Sequence, residues 1–170
     1  MNIRRLFSLA LLATMGMGVQ AFAHVNQFCT VGFYKNHSQF ITNGSCSVND
    51  AHTGATVTTF DQSTLVSSLF PDVDPCVGAL TLLGLLQSPT SVCGPGSTLA
   101  GAEVILLRQT IARISNAANS TPASCDAVNG TIAHANAAID QAVAQNNTAP
   151  LTALAGIFDN DNNAGQCTLH

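Results

Sequence analysis

The sequence predicts an all-α protein: a single irregular bundle of about five helices, disulfide-stapled, with a loop-rich N-terminal segment. Three observations carry that reading. Between Ser97 and Asn119, Ala100, Val104, Leu107, Ile111, Ile114 and Ala118 recur at alternating steps of four and three, which is one stripe of a helix. Leu99, Ala102, Ile105 and Leu106 widen the stripe, as suits a central helix covered on more than one side. Val128, Ile132, Ala135, Ile139 and Val143 make a second helical stripe. Finally, Cys29, Cys46, Cys76, Cys93, Cys125 and Cys167 all follow an N-terminal leader, and an even count behind a leader argues for three disulfides in an oxidising compartment.

Residues 1–23 read as a secretory signal peptide. Arg4 and Arg5 form its positive end, Leu6 to Val19 is apolar, and Ala21-Phe22-Ala23 is a small-x-small cleavage site. Cleavage there leaves 24–170 as a single helical disulfide-rich domain beginning at His24, a size that can bury a real core. No later stretch is apolar for long enough to span a bilayer. Loss of Arg4 and Arg5 from five strong cations leaves three against nine carboxylates, a net charge of −6. A row of phosphates finds little to neutralise it there, so neither nucleic acid nor an anionic membrane surface is expected as a partner. An extracellular or envelope partner of unspecified kind is expected instead, for a protein that is secreted, periplasmic or held at the cell surface.

The first elements are modest. The Thr, Ser, Asn and Gly-rich run from Ile41 to Thr59 is loop, with a short hairpin around Ala55 to Thr59. Asp61 caps a short helix carrying Leu65, Val66 and Leu69, which Pro71 stops. Asp74-Pro75 pairs a cap with proline at the first helical position and opens a buried helix through Gln87. A Pro/Gly loop from residue 88 to 96 holds Cys93. Ser97 or Thr98 starts the central helix, and Asn116 to Pro122 ends it. The next helix restarts at Thr121-Pro122, with a local interruption at Asn129-Gly130. A last short helix runs from Pro150 to Phe158.

Aromatic residues are scarce, yet Phe28, Phe33, Tyr34 and Phe40 crowd one segment around Cys29, Gly32, Phe33, Tyr34, Lys35, Asn36 and His37, which also holds the one lysine. With Leu80 to Gln87, Arg108 to Asn116 and Asp159 to Cys167, this segment resembles a group of secreted bacterial domains. These open on a Cys-x-x-x-Gly-Tyr-Trp-Lys-Asn-His-like signature and close on an Asp-x-x-Asn-Asn-Gly segment followed by cysteine. The match spans nearly the whole of 24–170. It departs at Phe33-Tyr34, where the family usually has Tyr-Trp, and at Ala164, inserted before the terminal glycine. The resemblance implies a fold and a compartment and no reaction.

Six cysteines allow fifteen connectivities. The resemblance favours Cys29 with Cys167, whose bond would clasp the ends of the common region. A helix ending at Gln87 that begins near Cys76 spans about 18 Å, and the six residues on to Cys93 can return roughly that far, so Cys76 with Cys93 is feasible. Cys46 with Cys125 follows by elimination.

Two metal chemistries are open. An N-terminal His24 can chelate copper through its amino group and ring, with His37 or His52 completing a three-nitrogen site. Secreted oxidative polysaccharide enzymes use such a brace, on β-sandwiches rather than helices. Asp159-x-Asp161-x-Asn163 has the spacing of half a calcium loop, but Ala164 stands where glycine is needed and no acid follows at position twelve. The plainer readings are a turn tied by the His37 ring, a solvated His52, and an Asx-rich turn leading to Cys167. Catalysis finds little support: no Gly-x-Ser-x-Gly, phosphate loop or His-Glu-x-x-His occurs, and Glu103 is the sole glutamate. His134 should face solvent. Asn-x-Ser/Thr sites begin at Asn36, Asn43, Asn119, Asn129 and Asn146 and are incidental in a bacterial host.

Expectation therefore centres on a secreted, non-catalytic structural or surface-interaction domain. A copper-binding redox protein and a calcium-stabilised adhesion module are the alternatives. The aromatic signature is expected to pack on the central helix through Phe33 and Tyr34. Lys35 would be drawn toward Glu103, with Asp61 or Asp72 as substitutes, or would extend to water.

Overall fold

A computed structural model describes residues 27–49, 54–57 and 59–169. The expected signal peptide, His24, His52 and His170 lie outside them. The described chain is mostly helical: six α-helices, two short 3-10 turns and one two-stranded sheet. The helices are α1 (Val31–Asn36), α2 (Pro75–Gly78), α3 (Leu82–Gln87), α4 (Thr98–Asn119), α5 (Cys125–Gln145) and α6 (Ala149–Asn162). Strands β1 (Val48–Asn49) and β2 (Thr56–Val57) pair antiparallel, with Val48 opposite Val57 and Asn49 opposite Thr56.

α4 is the axis, about 33 Å long at 1.5 Å per residue. It packs most extensively on α5 and α6 and more lightly on α1, α2 and α3. Every residue from Ile111 to Ala118 is buried, so this stretch is covered on all sides. Much of the core around it is alanine: Ala100, Ala112, Ala117, Ala127, Ala135, Ala142 and Ala155 are buried beside the leucines and isoleucines. Small side chains let helix backbones approach closely, but each removes little apolar area from water.

Local capping explains where the three short helices begin. The Thr30 side chain accepts from the Phe33 amide at the head of α1, Asp74 from the Cys76 amide at α2, and Thr81 from the Gly84 amide at α3. α5 ends at Asn146, which takes the left-handed conformation at φ 47° that asparagine tolerates.

The structure departs from the sequence expectation in several places. There are six α-helices rather than about five. The helix expected from Asp74-Pro75 to Gln87 is two, α2 and α3. At the break, Val66 donates to the Leu80 carbonyl and Leu82 to the Thr64 carbonyl, both at 2.9 Å, forming a β-bridge between Leu65 and Thr81. Those backbone groups are spent across the chain, so they cannot continue a helix. Close packing reinforces this: a Cβ on Gly78 would stand 3.1 Å from Ser67 Cβ and 3.2 Å from Val73 Cγ2.

The helix expected after Asp61 is a 3-10 turn, Val66–Ser68, because the Asp61 carboxylate binds the Ser63 amide and hydroxyl in a tight turn instead. α5 begins at Cys125 and runs through Asn129-Gly130 without interruption. α6 continues past Phe158 to Asn162.

Candidate functional site

Three disulfides join Cys29 to Cys167, Cys46 to Cys125 and Cys76 to Cys93, across separations of 138, 79 and 17 residues. No cysteine is free. The first bond brings the aromatic signature and the C-terminal segment onto the same stretch of α4, and the polar residues of the chain converge there.

The hub is Asn116, 1 % exposed. Its Oδ1 accepts from the Cys29 amide at 2.8 Å and from the Tyr34 hydroxyl at 2.9 Å. Its Nδ2 donates to the Cys29 carbonyl at 3.0 Å and to Asn162 Oδ1 at 3.1 Å. Two lone pairs and two N–H groups are the whole capacity of an amide side chain, and all are used. Asn162, on α6, donates in turn to the carbonyl and the side-chain oxygen of Gln109, each at 3.0 Å. Arg113 forms an ion pair with Asp161 at 2.6 Å and lies over the Phe158 ring, 5.3 Å from its centroid. Burial pushes the Arg113 pKa below its ordinary value, against the opposing pull of Asp161.

Gln109, Arg113 and Asn116 are spaced i, i+4, i+7, which makes a polar stripe inside an apolar helix. Sequence reading passed over Asn116, Gln109 and Asn162 as members of a site. That spacing is the signal that could have found them.

Of the two aromatics, Tyr34 is sealed inside the core and Phe33 packs against it from the edge. Tyr34 is fully buried, and burial raises its hydroxyl pKa far above the ordinary value. Phe33 is half-buried, edge-on to Tyr34 and stacked on His37 at 4.4 Å between centroids. His37 closes α1, with its Nδ1 3.0 Å from the Phe33 carbonyl. A carbonyl only accepts, so Nδ1 carries the proton.

Gly32, Lys35 and Asn36 are exposed, and Asn36 donates back to the Gly32 carbonyl at 3.1 Å. Lys35 therefore points to water, and its expected pairing with Glu103 is absent. The reason is position: α1 docks at Asn116, about 20 Å along α4 from Glu103. Phe28 lies against Gly165, and Gln27 and Thr168 exchange hydrogen bonds outside the disulfide.

The metal candidates are dispersed over the fold. His24 and His52 fall outside the described residues, so the copper set is represented only by His37. Asp159 and Asp161 lie in the last turn of α6 and Asn163 caps it. Asp161 engages Arg113, while Asp159 accepts from Gln109 at 2.9 Å and from Asn163 at 3.0 Å.

A different acidic pair is brought together at the other end of α4. Glu103 is 1 % exposed and accepts from the Asp74 amide at 2.9 Å. Burial is the main cause that lifts its pKa to about 6, and the nearby Asp74 charge adds to the rise. Asp74 stands beside Cys76 and Cys93.

Among the described residues, no helix is long and apolar enough to cross a membrane. Three disulfides accord with an oxidising extracellular environment. Comparison with family models, curated proteins and solved structures finds no match to the chain.

Proposed function

We propose that this chain is a secreted, non-catalytic structural or surface-interaction domain. One observation carries the reading. The residues richest in chemistry are engaged with one another: Asn116 holds both polar groups of the Cys29 backbone, Arg113 holds Asp161, and Asn162 ties α6 to α4. A side chain whose hydrogen-bonding capacity is filled inside the fold builds a rigid body rather than turning over a substrate. The disulfide between Cys29 and Cys167 closes that body at its ends, a construction suited to survival outside the cell. The outward-facing part of the signature, Gly32, Lys35, Asn36 and His37, is the surface it offers to an extracellular or envelope partner.

Elemental analysis of correctly processed, exported protein tests this. Protein free of stoichiometric metal that stays folded after extensive chelation is expected. One copper per chain, lost on His24→Ala, would establish the redox alternative. One calcium per chain, lost on Asp159→Asn, would establish the adhesion alternative.

A further inference from the structure

We propose that the Cys76–Cys93 disulfide is a reducible latch, and that its reduced form is a zinc site made of two thiolates and the Asp74 carboxylate.

Three features set this bond apart from the other two. First, Cys29 and Cys46 are buried, so each of their bonds has one sulfur sealed in the core, whereas Cys76 and Cys93 are both partly exposed. Thiol–disulfide exchange needs an attacking thiolate to reach a sulfur, so access favours this pair. Second, it closes the shortest loop, 17 residues against 79 and 138, and on the chain-entropy model the shortest loop contributes least to stability. Its loss is the one the fold survives. Third, the segment it pins is held otherwise by local turns, including Val92 to Pro89 and Gly94 to Ser91, and by the half-buried Val92 side chain. Thr90, Ser91 and Gly94 of that segment wall an open groove of about 390 Å³, so opening the latch loosens the groove wall.

The third ligand is already in place. An Asp74 carboxylate oxygen and the two sulfurs all lie within 4.8 Å of one another. Asp74 is held on two sides: its amide donates to Glu103 and its Oδ1 accepts from the Cys76 amide. Tetrahedral zinc with thiolates at about 2.3 Å places its two sulfurs about 3.8 Å apart, a spacing that small side-chain rotations reach once the S–S bond is gone. Three protein ligands leave the fourth position to water.

The chemistry balances with a dithiol as reductant. Two electrons and two protons pass to the disulfide, the S–S bond breaks, two S–H bonds form, and the dithiol becomes a disulfide. Zinc then displaces both thiol protons.

Exported protein titrated with dithiothreitol, alkylated and peptide-mapped should label Cys76 and Cys93 together, before the other four, with the far-ultraviolet circular dichroism unchanged. Labelling of Cys29 or Cys46 at the same or lower reductant would overturn the latch. Partially reduced protein, freed of dithiol under nitrogen, is then titrated with Zn²⁺ against a chromophoric chelator. One zinc per chain is expected. Asp74→Asn keeps the oxygen that caps α2 and should weaken zinc at least tenfold, while Cys93→Ser should abolish the site. Unchanged affinity in either variant, or no zinc bound by the wild-type protein, would refute the site.

Discussion

Replacing Asn116 by alanine should cost as much stability as truncating a large apolar side chain of the core. The change strips partners from four groups: the Cys29 amide and carbonyl, the Tyr34 hydroxyl, and Asn162 Oδ1. Cys29 and Tyr34 are fully buried and Asn162 is 1 % exposed, so bulk water cannot replace what is lost. An orphaned buried polar group costs about 1–3 kcal/mol. Asn162 retains its bonds to Gln109, and water can enter the vacated volume, so the low end applies to each group and the total is about 4 kcal/mol. That is a large share of the 5–15 kcal/mol typical of a whole domain. Urea unfolding followed by circular dichroism, with disulfides intact, reads it as a midpoint lowered by roughly 2 M at unchanged slope. Tyr34→Phe removes one hydroxyl and leaves Asn116 bonded to Cys29, so it should cost about 1 kcal/mol. The double variant should fall short of the sum by a similar amount, since the hydroxyl is no longer stranded. An Asn116→Ala midpoint within 0.5 M of wild type, on the order of 1 kcal/mol, would refute the account of Asn116 as the hub.

Three further outcomes follow from single contacts. Glu103, raised from 4.5 to about 6, binds its proton more tightly folded than unfolded. Its contribution is therefore full below pH 4.5 and is lost as pH rises through 6, a swing of about 2 kcal/mol at 1.36 per unit. Glu103→Gln, which can still accept from the Asp74 amide, should flatten that part of the pH–stability curve, and an unchanged curve would count against the assignment. Gly165→Ala places a methyl 2.9 Å from Phe28 Cγ; it should cost about 1–3 kcal/mol and much less when Phe28 is also alanine, both read from melting curves. Asp161→Asn removes the partner of a nearly buried guanidinium, but Asp161 is itself 38 % exposed, so solvent screening holds the loss to about 1–2 kcal/mol, and added salt should narrow the gap between the two melting curves.

How far the fold could be read from sequence depends on whether each helix has a dry side and a wet side. α4 and α5 have long stripes, so period alone places them. The segment from Pro75 to Gln87 is apolar nearly all round, and such a run has no phase to show a break. Its division depends on the bridge between Leu65 and Thr81, a contact across the chain that no local pattern encodes. The extension of α6 past Phe158 is hidden for a related reason: Asp159, Asn160, Asp161 and Asn162 read locally as turn formers, and the bonds of Asp159, Asp161 and Asn162 to Gln109, Arg113 and Asn116 on α4 hold this turn helical. The signature was legible as a folding element, but the choice of Tyr34 over Phe33 for the interior required knowing that α4 offers Asn116 as a partner for a hydroxyl.

The clasp and the alanine-rich core are two sides of one design. A core in which Ala100, Ala112, Ala117, Ala135 and Ala142 carry much of the helix contact packs its backbones closely. It also forgoes the 1.5–3 kcal/mol or so that each larger aliphatic side chain would bring. A weakly charged surface, with Lys35, Arg108 and Arg113 as the strong cations beyond Arg5, adds little by ion pairing. The deficit is met by covalent closure: a bond joining residues 138 apart contributes up to about 5 kcal/mol on the chain-entropy model. That gain requires Cys29 and Cys167 to meet at one place on α4. Asn116 fixes the place, by binding the Cys29 backbone through both its amide and its carbonyl. In turn, the disulfide keeps Cys29 next to Asn116 whenever α1 lifts away, so the buried network re-forms as an intramolecular event at high effective concentration. Each device makes the other effective, which is why the signature cysteine, the polar stripe of α4 and the C-terminal segment occupy one site.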